Sequence, residues 1–328
     1  MAGFEKELDQ SRAVYDINIP DGLDRLIAVE SDGLEADTSL ILEALRRDSV
    51  VLVRHCDANR ADKLIRQVAA GLGVIDSLEL QAGFAGFLGH RHNMSTYFMS
   101  VNRREDYQFV SPHSEGDSAV GMQLASFFCY ENSTNGGQTI LMNVDDKSEV
   151  WESLREIVTK VAPGSRSLTP REFARVKALY RLRSPTCTVE EDDRIFQERR
   201  TEIPGLTLAD VFAKPKKSRS CILDRQLNVY WDTIASIDFD SLNEYVRFLK
   251  ERNLLREPVG GMKLDQMDNA APRRLWSSGV NYSKLFKCQM TLTLAPGDFL
   301  IQNNLTWTHA ATNWAPESGT RLLSAAFA

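Results

Sequence analysis

Cysteine, histidine and basic charge are all scarce in this chain, and each shortage excludes something. Five cysteines (Cys56, Cys129, Cys187, Cys221 and Cys288) are spread over 328 residues with no CxxC pair among them. An odd, scattered set is incompatible with a disulfide framework or a zinc-ribbon site and fits reduced thiols in a cytosolic protein. Lysine and arginine total 39 against 45 aspartates and glutamates, a net charge of -6. The basic stripe that a nucleic-acid footprint requires is therefore missing. No apolar run approaches the ~20 residues that span a bilayer. The opening stretch, MAGFEKELDQSR, is charged and lacks an apolar core, which argues against a secretory signal. Internal repeats and low-complexity tracts are absent as well. These exclusions lead to the expectation of a mildly acidic cytoplasmic protein with neither nucleic acid nor membrane among its partners.

What is present supports a sizeable fold. Apolar residues make up 43% of the chain and charged residues 26%, enough for a packed core rather than disorder. The length suggests one domain over residues 1–328 with room for an insertion. Ser39–Arg47 has helical periodicity, with Asp37 as its N-cap. The β-branched run Val50–Val53 reads as a buried strand. A second helix is expected over Arg60–Ala70, stopped by Gly71 and Gly73, and Gly83–Gly89 reads as a loop. Gln123–Tyr130 and Gln138–Asn143 are strand-like and flank Asn135-Gly136-Gly137, a β-turn connection. A helix is predicted from about Lys147 to Val161, ended by Pro163-Gly164. Ser165–Ser220 is charged and irregular in pattern, so an insertion or lid is expected over about 165–220, with EEDD at 190–193 and KPKK at 214–217 as solvated faces. Strand signals return at Lys287–Leu294, Phe299–Gln302 and Arg321–Phe327, separated by the Pro296-Gly297-Asp298 turn. The fold class is mainly β with added helices (α+β), a sandwich or barrel core.

The chain has five histidines: His55, His90, His92, His113 and His309. His55 ends the VVLVR strand, where an edge or turn role suffices. His90 and His92, in GHRHN, are two residues apart but have no carboxylate close by in sequence. His113 lies in Ser111-Pro112-His113-Ser114-Glu115-Gly116-Asp117. In extended backbone, residues i and i+2 project to one face, so His113 and Glu115 point the same way. They make two-thirds of a 2-His-1-carboxylate face, which binds iron(II) and leaves three positions open. HxE is a short pattern, and a strand-edge histidine bonded to a neighbour explains it equally. A second histidine must come from a distant strand, and His309 in QNNLTWTHAATNW meets that requirement. Twelve residues on, Arg321 opens the last strand with a guanidinium suited to bidentate pairing with a carboxylate.

The ordered set PHSEGD, FFCYENSTNGGQTILMNVDD and PGDFLIQNNLTWTHAATNWAPESGTR, with VVLVR upstream, resembles the iron(II)/2-oxoglutarate-dependent oxygenases of the taurine dioxygenase and clavaminate synthase-like superfamily. The resemblance runs from about residue 50 to the end. It implies a double-stranded β-helix (jelly-roll) core with flanking helices and an insertion or lid. It implies His113, Glu115 and His309 as iron ligands, Thr139 as a hydroxyl that helps hold the cosubstrate, and Arg321 as the partner of the distal carboxylate of 2-oxoglutarate. The carboxylate is glutamate where much of the superfamily has aspartate. Gln138 stands where glutamate is common, and Asn303-Asn304 replaces a more usual aspartate-asparagine pair.

The cofactors implied are Fe(II), with 2-oxoglutarate and O2 as cosubstrates, and the products include succinate and CO2. With Glu115 present a halide has no ligand position to take, so hydroxylation, desaturation or ring formation is expected rather than chlorination. A small-molecule substrate is implied, an amino acid or natural-product intermediate, with Asn93, Gln123 and Trp307 as candidate contacts. Trp314 and the loop Asn93–Tyr97 are further candidates, although core packing accounts equally well for the tryptophans and a surface turn for the loop. The competing reading is a non-catalytic jelly-roll protein that binds a metal or small carboxylate. Oligomeric state is left open, a homodimer included.

Overall fold

The computed structural model describes residues 18–84, 91–101, 108–115, 122–149, 156–180, 182, 187–213, 218–220, 227–229, 239–256 and 282–328. Two sheets carry the core. The larger has six strands: β1 (Leu26–Glu30), β2 (Val50–Arg54), β3 (Met99–Ser100), β5 (Leu124–Asn132), β13 (Phe299–Asn303) and β15 (Arg321–Phe327), in the order β1-β2-β13-β5-β15-β3. The smaller has β4 (Val110–His113), β6 (Thr139–Val144), β12 (Phe286–Leu292) and β14 (Trp307–Ala311), in the order β12-β6-β14-β4. From β12 onward the chain alternates between them, small to large to small to large.

Strand periodicity explains why so much of this chain is apolar. Along β2, Val50 and Leu52 face the other sheet while Val51 and Val53 face outward into a second apolar cluster. In β5, Ala125, Phe127 and Cys129 point inward and Leu124 and Phe128 outward. Both faces are covered, so the strands read as nearly continuous apolar runs. The outer cover of the large sheet is α1 (Leu34–Arg46), α2 (Ala58–Gly71) and α3 (Ile75–Phe84), through Ile41, Leu45, Leu64, Ile65, Val68 and Leu78. The small sheet is covered by α5 (Phe239–Glu251), whose Tyr245, Phe248 and Leu249 pack on Ile140, Met142 and Phe286. The inner faces meet around Phe127, Leu141, Met290, Trp307 and Phe327. Burying a side chain of this size contributes about 1.5–3 kcal/mol.

The described residues between 156 and 213 form a third body. Strands β7 (Glu156–Val161), β8 (Arg194–Arg200) and β9 (Thr207–Ala213) make an antiparallel sheet in the order β7-β9-β8, with α4 (Pro170–Leu179) beside it. Val161, Val176, Leu206 and Leu208 form its own apolar cluster. Two short strands, β10 (Ser218–Ser220) and β11 (Leu227–Val229), pair with each other.

Several sequence expectations need correction. The helix over 147–161 is not found: Glu156–Val161 is a strand, because Ile157, Val158, Thr159 and Val161 are β-branched and favour extended backbone. Residues 150–155 lie outside the described set. The segment from Ser165 is regular rather than irregular, and α4 starts with a capping box between Thr169 and Glu172 and Pro170 in the first turn. EEDD is not simply a solvated face: Lys160, 2% exposed, is bonded to Asp193 at 2.7 Å and Glu190 at 3.0 Å. KPKK lies outside the described residues. Asp37 is not an N-cap but sits inside α1, buried, with Arg60 Nη2 donating to it at 2.8 Å. Gly83 belongs to α3 rather than a loop, and residues 85–89 are outside the described set.

Candidate metal centre

Antiparallel pairing of β4 with β14 sets His113 opposite His309, so two histidines 196 positions apart in the sequence share one sheet face. Their rings are 4.4 Å apart at an interplanar angle of 61°. Glu115, two residues past His113, brings Oε1 to 3.4 Å from His113 Nε2 and 3.7 Å from His309 Nε2. The three ligand atoms all lie within 4.8 Å of one another. Donors bound at about 2.1 Å to one ion would sit about 3.0 Å apart at neighbouring octahedral positions. A small contraction brings this set to that geometry, so the residues fit a divalent metal.

Glu115 and His309 are held from behind. Asn304, fully buried in the β13–β14 turn, accepts from the Glu115 amide at 3.1 Å and donates to the Glu115 carbonyl at 2.9 Å. It also donates to the Met122 carbonyl at 2.7 Å. The Phe127 ring packs against the His309 ring at 5.0 Å and the Phe327 ring lies 6.2 Å from it. Gln302 Nε2 lies 3.4 Å from His309 Nδ1. Burial among these rings, helped by the neighbouring His113, lowers His309 to about 4. Burial acts to raise the Glu115 carboxyl, but hydrogen bonds and charge from His113 and His309 outweigh it and hold Glu115 well below the usual carboxylate range. At neutral pH the site offers unprotonated His309 and an anionic carboxylate, the forms a metal binds.

The donors open into a solvent-connected cavity between the sheets, about 810 Å³ counted out to its mouth. Thr139 of β6 and Arg321 of β15 line it together with the three ligand residues. The NGG turn makes room for Arg321. Gly137 has φ +69°, and a Cβ there would come 2.9 Å from Arg321 Cδ, while its carbonyl accepts from Arg321 Nε at 2.8 Å. Desolvation lowers Arg321 to about 10, and no carboxylate pairs with it among the described residues. A cation stripped of water and lacking a counter-charge is a receptor for an anion.

The other sequence candidates are elsewhere. Trp307 is fully buried in the inter-sheet core, its Nε1 donating to the Asp48 carbonyl at 3.1 Å. Asn93 is exposed and donates to the Ala82 carbonyl at 3.2 Å. Gln123 is half-buried, and its amide bonds the carbonyl of Ala328. None of the three lines the cavity, nor does Trp314, which bridges to Gly136. His55 meets Glu30 at the end of β2, and His92 lies 3.3 Å from Ser100 Oγ. His90 and Asp117 fall outside the described residues. Sequence reading missed Arg91, Phe127, Leu323, Ala325 and Phe327 as cavity walls. The strand residues follow from inward parity once the register is known. Arg91, between two histidines weighed as ligands, carries no local signal.

No family model matches the chain, and no curated protein matches it by sequence. Solved structures that resemble it include AAD-2 in complex with Mn(II) and N-oxalylglycine, 9% identical at a TM-score of 0.40, covering 95% of this chain and 97% of that one. A taurine dioxygenase from Burkholderia xenovorans is 12% identical at 0.40, covering 95% and 88%. The PvcB protein from Pseudomonas aeruginosa is 11% identical at 0.43, covering 92% and 85%. At such identities and scores these likenesses carry no weight for function, which rests on the site itself.

Proposed function

We propose that this protein is an iron(II)- and 2-oxoglutarate-dependent dioxygenase that oxidises a C–H bond of a small molecule. The observation that carries the reading is one cavity holding both a two-histidine, one-carboxylate face and a desolvated arginine with no carboxylate partner among the described residues. In this reading His113 and His309 hold the metal through Nε2 and Glu115 through Oε1. Bound iron(II) supplies O2 activation coupled to decarboxylation of 2-oxoglutarate to succinate and CO2. Arg321 grips the distal carboxylate of 2-oxoglutarate with its planar fork, and the Thr139 hydroxyl donates to the same cosubstrate. Phe127 and Phe327 keep water from the back of His309. Asn304 fixes the backbone on which Glu115 is mounted.

The strand crossings between the two sheets support a double-stranded β-helix (jelly-roll) description. The extra sheet and helix of residues 156–213 support an insertion, and we assign lid elements to it. No helix among the described residues is long and apolar enough to cross a membrane, and we place the enzyme in the cytoplasm with an amino acid or natural-product intermediate as substrate.

The test is anaerobic titration of iron(II)-loaded protein with 2-oxoglutarate, followed by visible absorption. A weak metal-to-ligand charge-transfer band should form with the native chain and require at least tenfold more 2-oxoglutarate with Arg321→Ala, iron binding being unchanged. Iron bound with no band, and no succinate formed in air, would leave a metal-binding protein without turnover.

A further inference from the structure

Gln302 breaks the apolar pattern of its own strand. Alternation along β13 puts it on the inner face with Leu300, and it pairs with Ala125 of β5. Leu300, Ala125, Trp307 and Phe327 all belong to the apolar cluster between the sheets, and Gln302 is fully buried beside them. Burying an amide in such a place costs free energy unless both of its ends are bonded. One end is, since Nε2 donates to the Trp307 carbonyl at 3.2 Å. The other is not, for Oε1 has no hydrogen-bond partner among the described residues. The same Nε2 lies 3.4 Å from His309 Nδ1, the ring nitrogen that faces away from Glu115.

A metal on His309 Nε2 settles where the ring proton sits. Neutral imidazole carries one proton, and with Nε2 ligated that proton must be on Nδ1, which changes from acceptor to donor. Nδ1–H then faces the N–H end of the Gln302 amide, donor against donor. Turning the amide over about its last side-chain bond presents Oε1 instead, and the two ends of an amide are alike in size, so the packing is kept. With metal bound, the unturned amide leaves Nδ1–H and Oε1 unpaired, while the turned one leaves the Trp307 carbonyl and Nε2 unpaired. The count is equal, so the stronger bond decides. A metal-bound imidazole donates a charge-assisted hydrogen bond, roughly twice as strong as a neutral one, whereas the bond given up joins two neutral groups at 3.2 Å. We infer that Gln302 is a positioning residue of the metal centre: its amide turns on metal binding so that Oε1 accepts from His309 Nδ1–H and fixes the ring and its tautomer. The inference rests on the proposed ligand set and not on 2-oxoglutarate chemistry.

The test loads isotopically labelled full-length protein with Zn(II), a diamagnetic ion that accepts the same donor types, and records proton–nitrogen correlation spectra of the imidazoles. In the loaded native chain His309 should carry its proton on Nδ1, and that proton's resonance should move upfield in Gln302→Leu, which offers no acceptor. Gln302→Leu should bind Zn(II) at least tenfold more weakly in a metal titration, and Gln302→Glu, which restores acceptor oxygens, should recover most of the loss. Thermal unfolding of the metal-free variants checks that they fold, and the native spectrum tests the inference without any substitution. A role in packing alone predicts that the two variants weaken Zn(II) binding alike or not at all. That result, a resonance unmoved in Gln302→Leu, or a loaded native His309 with no proton on Nδ1 overturns the inference. Failure of the native chain to bind Zn(II) would bring down the ligand set with it. Should Zn(II) bind in a Gln302-dependent way while 2-oxoglutarate does not bind, the positioning role stands and the dioxygenase reading falls.

Discussion

Glu115 is the hinge of the site at the scale of single residues, 3.4 Å from one imidazole and 3.7 Å from the other. Removing a histidine leaves two donors that do not define a face, so His113→Ala or His309→Ala should weaken iron(II) binding by at least a hundredfold in a metal titration. Full occupancy in either variant would dismiss the ligand assignment. The same residues make the metal-free protein acid-sensitive. His309 is held at about 4 in the fold, against ~6.5 in an unfolded chain. The unfolded chain therefore takes up a proton first as pH falls below ~6.5, and stability declines towards pH 4. Glu115, held well below its ordinary value, works in the same direction, since its contribution is present above ~4.5 and lost as pH falls. Thermal unfolding of the metal-free protein should drop between pH 7 and pH 5, and His309→Phe should flatten that slope. Parallel slopes would show that His309 has no part in it.

Secondary-structure elements enter the chemistry through what ties them together. Glu115 lies two residues beyond β4, and its backbone is held by Asn304, 189 residues away in the β13–β14 turn. Asn304→Ala would free the Glu115 amide and carbonyl and the Met122 carbonyl from their partner. Leaving such groups unsatisfied costs about 1–3 kcal/mol each where they stay buried. The variant should lose about 2 kcal/mol of stability in denaturant unfolding and bind iron(II) at least tenfold more weakly. A loss of stability with unchanged metal affinity would show that the turn supports the fold but not the ligand. Local patterns did announce many elements: the strand Arg321–Phe327 and the start of β2 at Val50 coincide with the expected spans. They misled at 156–161, where charged residues interleaved among the β-branched ones imitate an amphipathic helix.

On the scale of the whole molecule, the chain divides its core between the two-sheet sandwich and the separate sheet of residues 156–213. The latter hides an ion pair: the side chains of Lys160 and Asp193 are each 3% exposed and 2.7 Å apart. Removing one partner strands a buried charge, so Lys160→Ala should destabilise by about 3–5 kcal/mol. Because its cluster of Val161, Val176, Leu206 and Leu208 is distinct from the inter-sheet core, the damage should stay local. Hydrogen exchange should rise in β7, β8 and β9 while iron(II) affinity holds within twofold. A collapse of metal binding would mean that the two bodies unfold as one.

The amino-acid sequence by itself determined the residue types of the centre, the β-rich class and the strand placement of His113 with Glu115 two residues on, since each depends on neighbours within a few positions. It also carried the glycines that the turn beside Arg321 needs. Tertiary structure alone decided that His113 stands opposite His309, that Trp307 fills the core rather than the cavity, and that Arg91 lines that cavity. Strand alternation has a period of two, so the chain reveals which residues share a face but not which of the two sheets that face looks toward. That choice is made by pairings across more than a hundred residues, where burial of both sheets' inner faces selects one register and brings the ligands together.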